Sequence, residues 1–429
     1  MKTSFADFTN IFVMLYVLGT AFTFILEQFL EFNSFIFRKK NKNTLPEILE
    51  GKIDSSTMEK TYAYKNSRYK LFLPSSILNL LLDFALVFTG TYSKIFYLIW
   101  NWTENAYWTI LLFALFSSIP SFLLSIPFSL IREFKIEKSF GFSNMTFSMY
   151  VGDWFKDTLV SLILTVPLLL LAQLLLIHAS SWWWILLGSA YIVFSLFVSY
   201  IYPVLIAPAF NKFTPLEEGE LKTRLEALLE KTGFHSSGIF VMDASKRSRH
   251  SNAYFTGLGK NKRIVLYDTL LEQLTVDEIE AVLGHELGHY KHGHIVKKYF
   301  VTIPLIFILL FVLSIFIKLP LLYEGFGLCF EGEVPDFSFF MGIFFIATAF
   351  SGFLPLLSLI SNSLSRHDEF QADAFSKKIC GSGKPLSSAL IKLNKENLSE
   401  VSVPKIYSIF NYNHPPLTER LEALNKERV

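Results

Sequence analysis

The stretch Ala281-Val-Leu-Gly-His-Glu-Leu-Gly-His-Tyr290 decides how this 429-residue chain is read. Within it His285-Glu286-Leu-Gly-His289 has the HExxH spacing, and on a helix residues four apart stand one above the other on a single face. Two imidazoles so placed can bind one Zn2+ ion. Glu286, beside them and not a ligand, can take a proton from the water that attacks a peptide carbonyl. The spacing points to a metallopeptidase with one zinc per chain. Thr275-Val-Asp-Glu278 upstream has the form of a capping box, and Val282, Leu283 and Leu287 give the segment an apolar face. The motif is therefore predicted to lie on a helix, as its chemistry requires.

Around this motif the composition is that of an integral membrane protein. Hydrophobic residues make up 52% of the chain and charged residues 18%, with a mean hydropathy of +0.39, far from an ordinary soluble domain. A net charge of only +2, and no stretch that interleaves basic and aromatic residues, argue against a nucleic-acid partner. Runs near the ~20 apolar residues that cross a bilayer fall at about Ile11–Leu30, Leu71–Phe88, Trp108–Ile131, Leu159–Ile177, Trp182–Ile206, Tyr299–Ile317 and Phe337–Ile360. Seven spans are expected. Glu27 and Gln28 follow the apolar part of the first, where a secretory leader would carry small residues, so this segment reads as an anchor.

Lys and Arg give the orientation. The segment from Arg38 to Lys70 is strongly basic, and Arg132, Lys135, Lys138 and Lys156 follow span three, whereas the other side holds only Lys2, Lys94 and Lys318. An odd number of spans then puts the N-terminus outside. It also puts both the insert Ala207–Lys298, with HExxH, and the tail after Ile360 in the cytosol. Together these make roughly 160 residues, a normal domain size, and one zinc-peptidase domain is expected from them. In the insert, Glu217–Thr232 reads as an amphipathic helix, Gly238–Asp243 as a strand, and Tyr254–Gly257 with Arg263–Tyr267 as a hairpin around Leu258–Asn261. Cys329 and Cys380 fall on opposite sides of the membrane in this topology, so no disulfide is expected. Glu27 and Asp83, costly in lipid, should face the protein interior.

A catalytic zinc takes three protein ligands and keeps one position open. His292 shares a face with His285 and His289 but stands about 10 Å along the axis from His285, too far to share an ion. The metzincin extension is absent, since His292 and Ile295 stand where it needs Gly and His. His292 and His294 are therefore read as polar residues near the membrane surface. The better source is Ser365-Arg-His-Asp-Glu-Phe-Gln-Ala-Asp373, on a helix expected to continue out of span seven. Glu369 there can complete a His, His, Glu set, and Asp373, four residues on, can accept the other ring N–H of a ligand histidine. One membrane hairpin of spans six and seven would bring both halves to the same bilayer surface.

Beyond the zinc residues, the chain resembles the type I CAAX prenyl proteases. The resemblance rests on HExxH with Glu369-Phe-Gln-Ala-Asp373, Ile201-Tyr-Pro-Val-Leu-Ile-Ala-Pro208, Phe210-Asn-Lys-Phe-Thr-Pro-Leu-Glu217, Ser251-Asn-Ala-Tyr-Phe-Thr-Gly257, Asn261-Lys-Arg-Ile-Val-Leu-Tyr-Asp-Thr-Leu270 and His414-Pro-Pro-Leu-Thr-Glu-Arg420. It implies zinc at His285, His289 and Glu369 with Glu286 as base, and it makes Asp373 a candidate proton donor. It also implies seven helices around an interior chamber, closed on the cytosolic side by the zinc domain. The expected activity is removal of the last three residues of proteins whose C-terminal Cys-a-a-X cysteine carries a prenyl group. A monomer is expected, in the endoplasmic reticulum membrane of a eukaryote or the plasma membrane of a bacterium.

Four more residues have physical roles. Asn252 and Ala253 look like the edge strand on which thermolysin-like peptidases lay out substrate by main-chain pairing. His414 could donate to the tetrahedral oxyanion, with Arg420 organising nearby carboxylates. Two competing functions share the zinc motif, a quality-control membrane protease and a non-enzymatic protein with structural zinc. Seven spans and the long matches disfavour the first. The second would want a fourth protein ligand, and none stands out.

Overall fold

The computed structural model describes residues 1–41, 44–257 and 262–426. Seven helices in it are long and apolar enough to cross a membrane: Ile11–Lys40, Ser55–Phe88, Ala106–Glu137, Phe147–His178, Trp183–Phe210, His294–Phe316 and Asp336–Ile379. Each covers one of the apolar runs to within a residue, and most continue past it into polar residues. Span one shows why it can. The Asn10 side chain accepts from the Phe12 N–H at its start, and Arg38, Lys39 and Lys40 lie at its end, where cations complement the helix dipole.

The seventh span is not one smooth helix. Phe339–Phe350 gives way to a tight turn, Ser351–Phe353, before Leu354–Ile379 resumes. At the break, backbone meets backbone: a Cβ on Gly352 would stand 2.0 Å from the carbonyl carbon of Gly19 in span one, and the Thr23 hydroxyl donates to the Gly352 carbonyl. Small residues at such crossings let membrane helices approach closely.

Packing puts the basic segments and the soluble parts on one face of the bundle. Leu49 and Ile53, between spans one and two, and Met58 and Tyr62, in the first turns of span two's helix, pack with Ile391, Val401, Leu417 and Leu421 of the tail. Tyr64, Ile136 and Phe142 pack with Leu398. At the opposite face Lys2–Thr3 pairs with Leu328–Cys329. A helix that hydropathy did not announce, Thr91–Thr103, buries Ser93, Phe96 and Ile99 there. Its 13 residues are too few to cross a bilayer.

The soluble part is built from insert and tail together. A four-stranded sheet runs in the order Phe213–Pro215, Ile239–Met242, Arg263–Tyr267, Ala253–Thr256, with the middle pair parallel and the outer pairs antiparallel. The hairpin strands are those expected from the sequence; its turn, Leu258–Asn261, lies outside the described residues. The first strand was not anticipated, because three residues beside a proline carry no period-two signal. Leu225, Leu228, Leu229, Ile264, Leu266, Leu283 and Leu287 of the insert share one core with Leu386, Ala389 and Leu424 of the tail.

Within the bundle, a cavity of about 370 Å3 lies between spans one, two and seven, with Glu27 and Asp83 in its wall. A second, of about 560 Å3, shares Phe72, Ser75 and Asn79 with it and extends towards the soluble part. Both intramembrane carboxylates thus face the interior, as their cost in lipid requires.

Candidate metal centre

The HExxH segment lies on the helix Val276–Lys291, which opens with the full capping box: Thr275 accepts from the Glu278 N–H, and the Glu278 carboxylate accepts from the Thr275 N–H. It packs against the helix Leu354–Ile379, and the closest approach is at Gly288, where a Cβ would stand 2.7 Å from the Ala372 Cα. The Ser376 hydroxyl donates to the Ala281 carbonyl across the same seam at 2.6 Å. Glu369, about one turn before Ala372, and Asp373, directly after it, come onto the histidine face. Gly288→Ala should therefore push the helices apart and lower metal occupancy without touching a candidate ligand, which metal analysis of the purified protein would read.

His285, His289 and Glu369 are brought together as a possible metal-binding group. His285 Nε2 stands 3.3 Å from His289 Nε2 and 3.4 Å from Glu369 Oε2, and His289 Nε2 stands 3.2 Å from Glu369 Oε1. Zn–N bonds of about 2.0–2.1 Å set tetrahedral donor atoms about 3.3–3.4 Å apart, so the three side chains already have the spacing of a zinc face. Glu369 Oε2 is buried and has no hydrogen-bond partner, which an ion at the centre of the triangle would supply. Charge agrees: three carboxylates, Glu286, Glu369 and Asp373, gather around one guanidinium, Arg420, surroundings that favour a cation.

The remaining ring nitrogens are fixed by the surroundings. His285 Nδ1 is 2.8 Å from Asp373 Oδ1, and Arg420 grips the same carboxylate with two bonds, Nη2 to Oδ1 at 2.6 Å and Nε to Oδ2 at 2.8 Å. Burial by itself would push the His285 imidazole down, but the Asp373 and Glu369 carboxylates beside it hold it up at about 9. Metal uptake must then displace a proton, so it strengthens as pH rises.

His294 corrects the sequence reading. It is buried, not a surface residue: its Nδ1 is 2.9 Å from His289 Nδ1, and its Nε2 is 3.0 Å from Gln371 Oε1. If Nε2–H donates to Gln371, Nδ1 is left to accept from the Nδ1–H of His289, which keeps His289 Nε2 unprotonated for a metal. Gly293, at φ +65°, turns the chain from the HExxH helix into span six and delivers His294 back under the site. A glycine flanked by histidines was the only signal available in the sequence. His292 is exposed and lies with its ring centroid 5.6 Å from that of His294.

Glu286 is half-buried in the wall of a cleft of about 530 Å3, together with His289, Tyr254, Thr256, Tyr202 and Tyr299. Burial pushes its carboxyl above the ordinary glutamate range, and none of the contacts among the described residues is a hydrogen bond that would occupy it. His414, more exposed than the other groups, stands with its Nε2 3.3 Å from Glu369 Oε1. Ala253–Thr256 is the outer strand of the sheet, with its second edge open. Asn252, which leads into it, turns its Oδ1 to the Ala253 N–H at 2.9 Å and leaves its amide N–H groups free among the described contacts.

Residues 215–428 match the family model described as Peptidase family M48, and residues 35–212 match that of the CAAX prenyl protease N-terminal, five membrane helices. The chain is 37% identical over 401 residues to the CAAX prenyl protease 1 homolog of Arabidopsis thaliana, covering 90% of this chain and 91% of that protein. The chain belongs to the CAAX prenyl protease 1 family. The family's Saccharomyces cerevisiae member, CAAX prenyl protease 1, is 32% identical over 423 residues, covering 94% of this chain and 92% of that one. The crystal structure of S. mikatae Ste24p superposes with a TM-score of 0.86 at 32% identity, over 96% of this chain and 99% of that chain. The chain is accordingly a multi-pass membrane metallopeptidase. Span count, HExxH on a helix and the paired halves of the soluble part all hold as read from the sequence.

Proposed function

We propose that this protein is a zinc endopeptidase that removes the C-terminal tripeptide of prenylated CAAX proteins at the cytosolic surface of a membrane. The observation that carries it is the triangle of His285, His289 and Glu369 at zinc-ligand spacing, beside an unengaged Glu286 in a cleft that opens between spans five and six. A zinc ion held there would polarise the scissile carbonyl and acidify a water. Glu286 then takes the proton from the attacking water and passes it to the leaving amine. Asp373, gripped by Arg420, holds His285 in the tautomer that presents Nε2, and His294 does the same for His289. His414 Nε2 donates to the oxygen that becomes negative.

Substrate pairs through its main chain with the open edge of Ala253–Thr256, and the Asn252 amide holds a backbone carbonyl beyond the scissile bond. Main-chain pairing tolerates many sequences, so selection falls to the lipid, for which the cleft's apolar and aromatic wall is suited. The basic segments on the same face as the metal centre support a cytosolic orientation, and all parts of the site come from one chain, which supports a monomer.

The test is cleavage of matched farnesylated and unmodified C-terminal peptides by the purified, detergent-solubilised, zinc-loaded protein. Release of the terminal tripeptide from the farnesylated peptide alone is expected. Equal cutting of both would replace this reading with a broad membrane protease.

A further inference from the structure

The charged side chains around the cavities at the inner ends of spans one, two and three divide into engaged and unengaged. Arg38 donates to Glu400 at 3.0 Å, and Glu31 accepts from the Tyr407 hydroxyl at 2.8 Å. In an adjoining cavity of about 290 Å3, Arg247 is held by both oxygens of Asp153 at 2.7 and 3.0 Å, and Glu133 and Glu137 accept from Ser143 and Tyr64. Arg68 and Arg132 differ. Among the described residues neither makes a close ion pair, Arg68 acting on Glu137 only at longer range, and the only hydrogen bond of Arg68 is a long one, 3.4 Å to the Tyr64 hydroxyl. Yet both arginines line both cavities. Arg132 opens a wide π-helical turn, Arg132–Glu137, at the end of span three.

Their position relative to the sheet edge gives this meaning. A peptide pairing antiparallel with Ala253–Thr256 runs with its C-terminus past Ala253 and Asn252 towards His250. The chain before the strand is pinned to the loop after span three: the Arg249 N–H donates to the Phe142 carbonyl and the Asn144 N–H to the Arg247 carbonyl, each at 3.0 Å, and the His250 ring stacks on Phe142 with centroids 4.1 Å apart. His250 lines the smaller cavity together with Arg68 and Arg132. Tyr412, two residues before His414, lines the larger one. Three residues beyond the scissile bond, extended, cover about 10 Å and end in a free carboxylate.

We propose that Arg68 and Arg132 bind the α-carboxylate of the substrate's last residue. This rests on the endopeptidase reading above and adds what sets the length of the fragment released. A guanidinium fork matches a carboxylate with two parallel bonds, and these two forks, neither of them bonded to a carboxylate among the described residues, stand where the chain end arrives. The enzyme thereby measures three residues from a terminus instead of recognising their side chains.

The experiment compares one farnesylated peptide in two forms, C-terminal acid and C-terminal amide, with the full-length zinc-loaded protein. The wild type should favour the acid by roughly tenfold to a hundredfold in kcat/KM, chiefly through KM. In Arg68→Gln/Arg132→Gln the acid-to-amide ratio should fall to about one, and Arg68→Lys/Arg132→Lys should restore part of it. Should the double Gln variant not fold, each single Gln variant, at an exposed side chain, carries the same comparison and should show a reduced ratio. A wild type indifferent to amidation, or a preference that survives these substitutions, overturns the proposal while leaving the protease reading intact. A zinc-loaded wild type that cuts neither farnesylated form overturns both.

Discussion

Glu286→Gln should purify with zinc still bound and with cleavage of a farnesylated peptide reduced by roughly a hundredfold to ten-thousandfold. Glutamine keeps the shape of the side chain and removes its ability to accept a proton. The expected metal content follows from geometry: Glu286 is not among the three residues whose donor atoms converge, and it has no bond to them. Metal analysis and single-turnover cleavage on the same preparation separate the two effects. Loss of zinc along with activity would mean that Glu286 holds the site together. Near-normal cleavage would mean that the proton goes elsewhere.

The second large effect is expected at Arg420. It is buried, it holds Asp373 by two bonds, and its Nη1 stands 3.6 Å from Glu369 Oε2. Burial alone would lower the guanidinium's hold on its proton, but the pairing with Asp373 outweighs this and keeps it charged. Arg420→Met would leave two buried carboxylates facing each other across His285 without their cation. Breaking a buried pair from one side costs about 3–5 kcal/mol, so thermal unfolding in detergent should move down sharply. Arg420→Lys keeps the charge but not the fork, and should lose less. A midpoint unchanged in Arg420→Met would show that the cluster is not stabilised in this way.

Much of this was legible in the sequence because the signals were of the kind that sequence carries well. Apolar runs longer than a bilayer is thick locate spans without any knowledge of packing. HExxH is local, so one helix fixes the relation of His285, Glu286 and His289. Glu369 required a further argument, that span seven returns the chain to the surface it left at span six. His294 was misread for a definite reason: its distance from His289 depends on the turn at Gly293, which folds the two residues together where a straight helix would have pointed them apart. The break at Gly352 and the strand Phe213–Pro215 were hidden likewise, since each exists only because of a partner far away in the chain.

That arrangement bears on how the enzyme comes into being. HExxH precedes span six and Glu369 lies beyond the apolar part of span seven, so a nascent chain complete through His289 holds two histidines of the group but not its carboxylate. The last helical hairpin must first enter the bilayer and return the tail to the side where the insert waits. If either span fails to insert, the two halves end on opposite sides of the membrane and no metal ion can join them. The protease is thus inert throughout its synthesis, and its first turnover certifies that the last two crossings were made correctly.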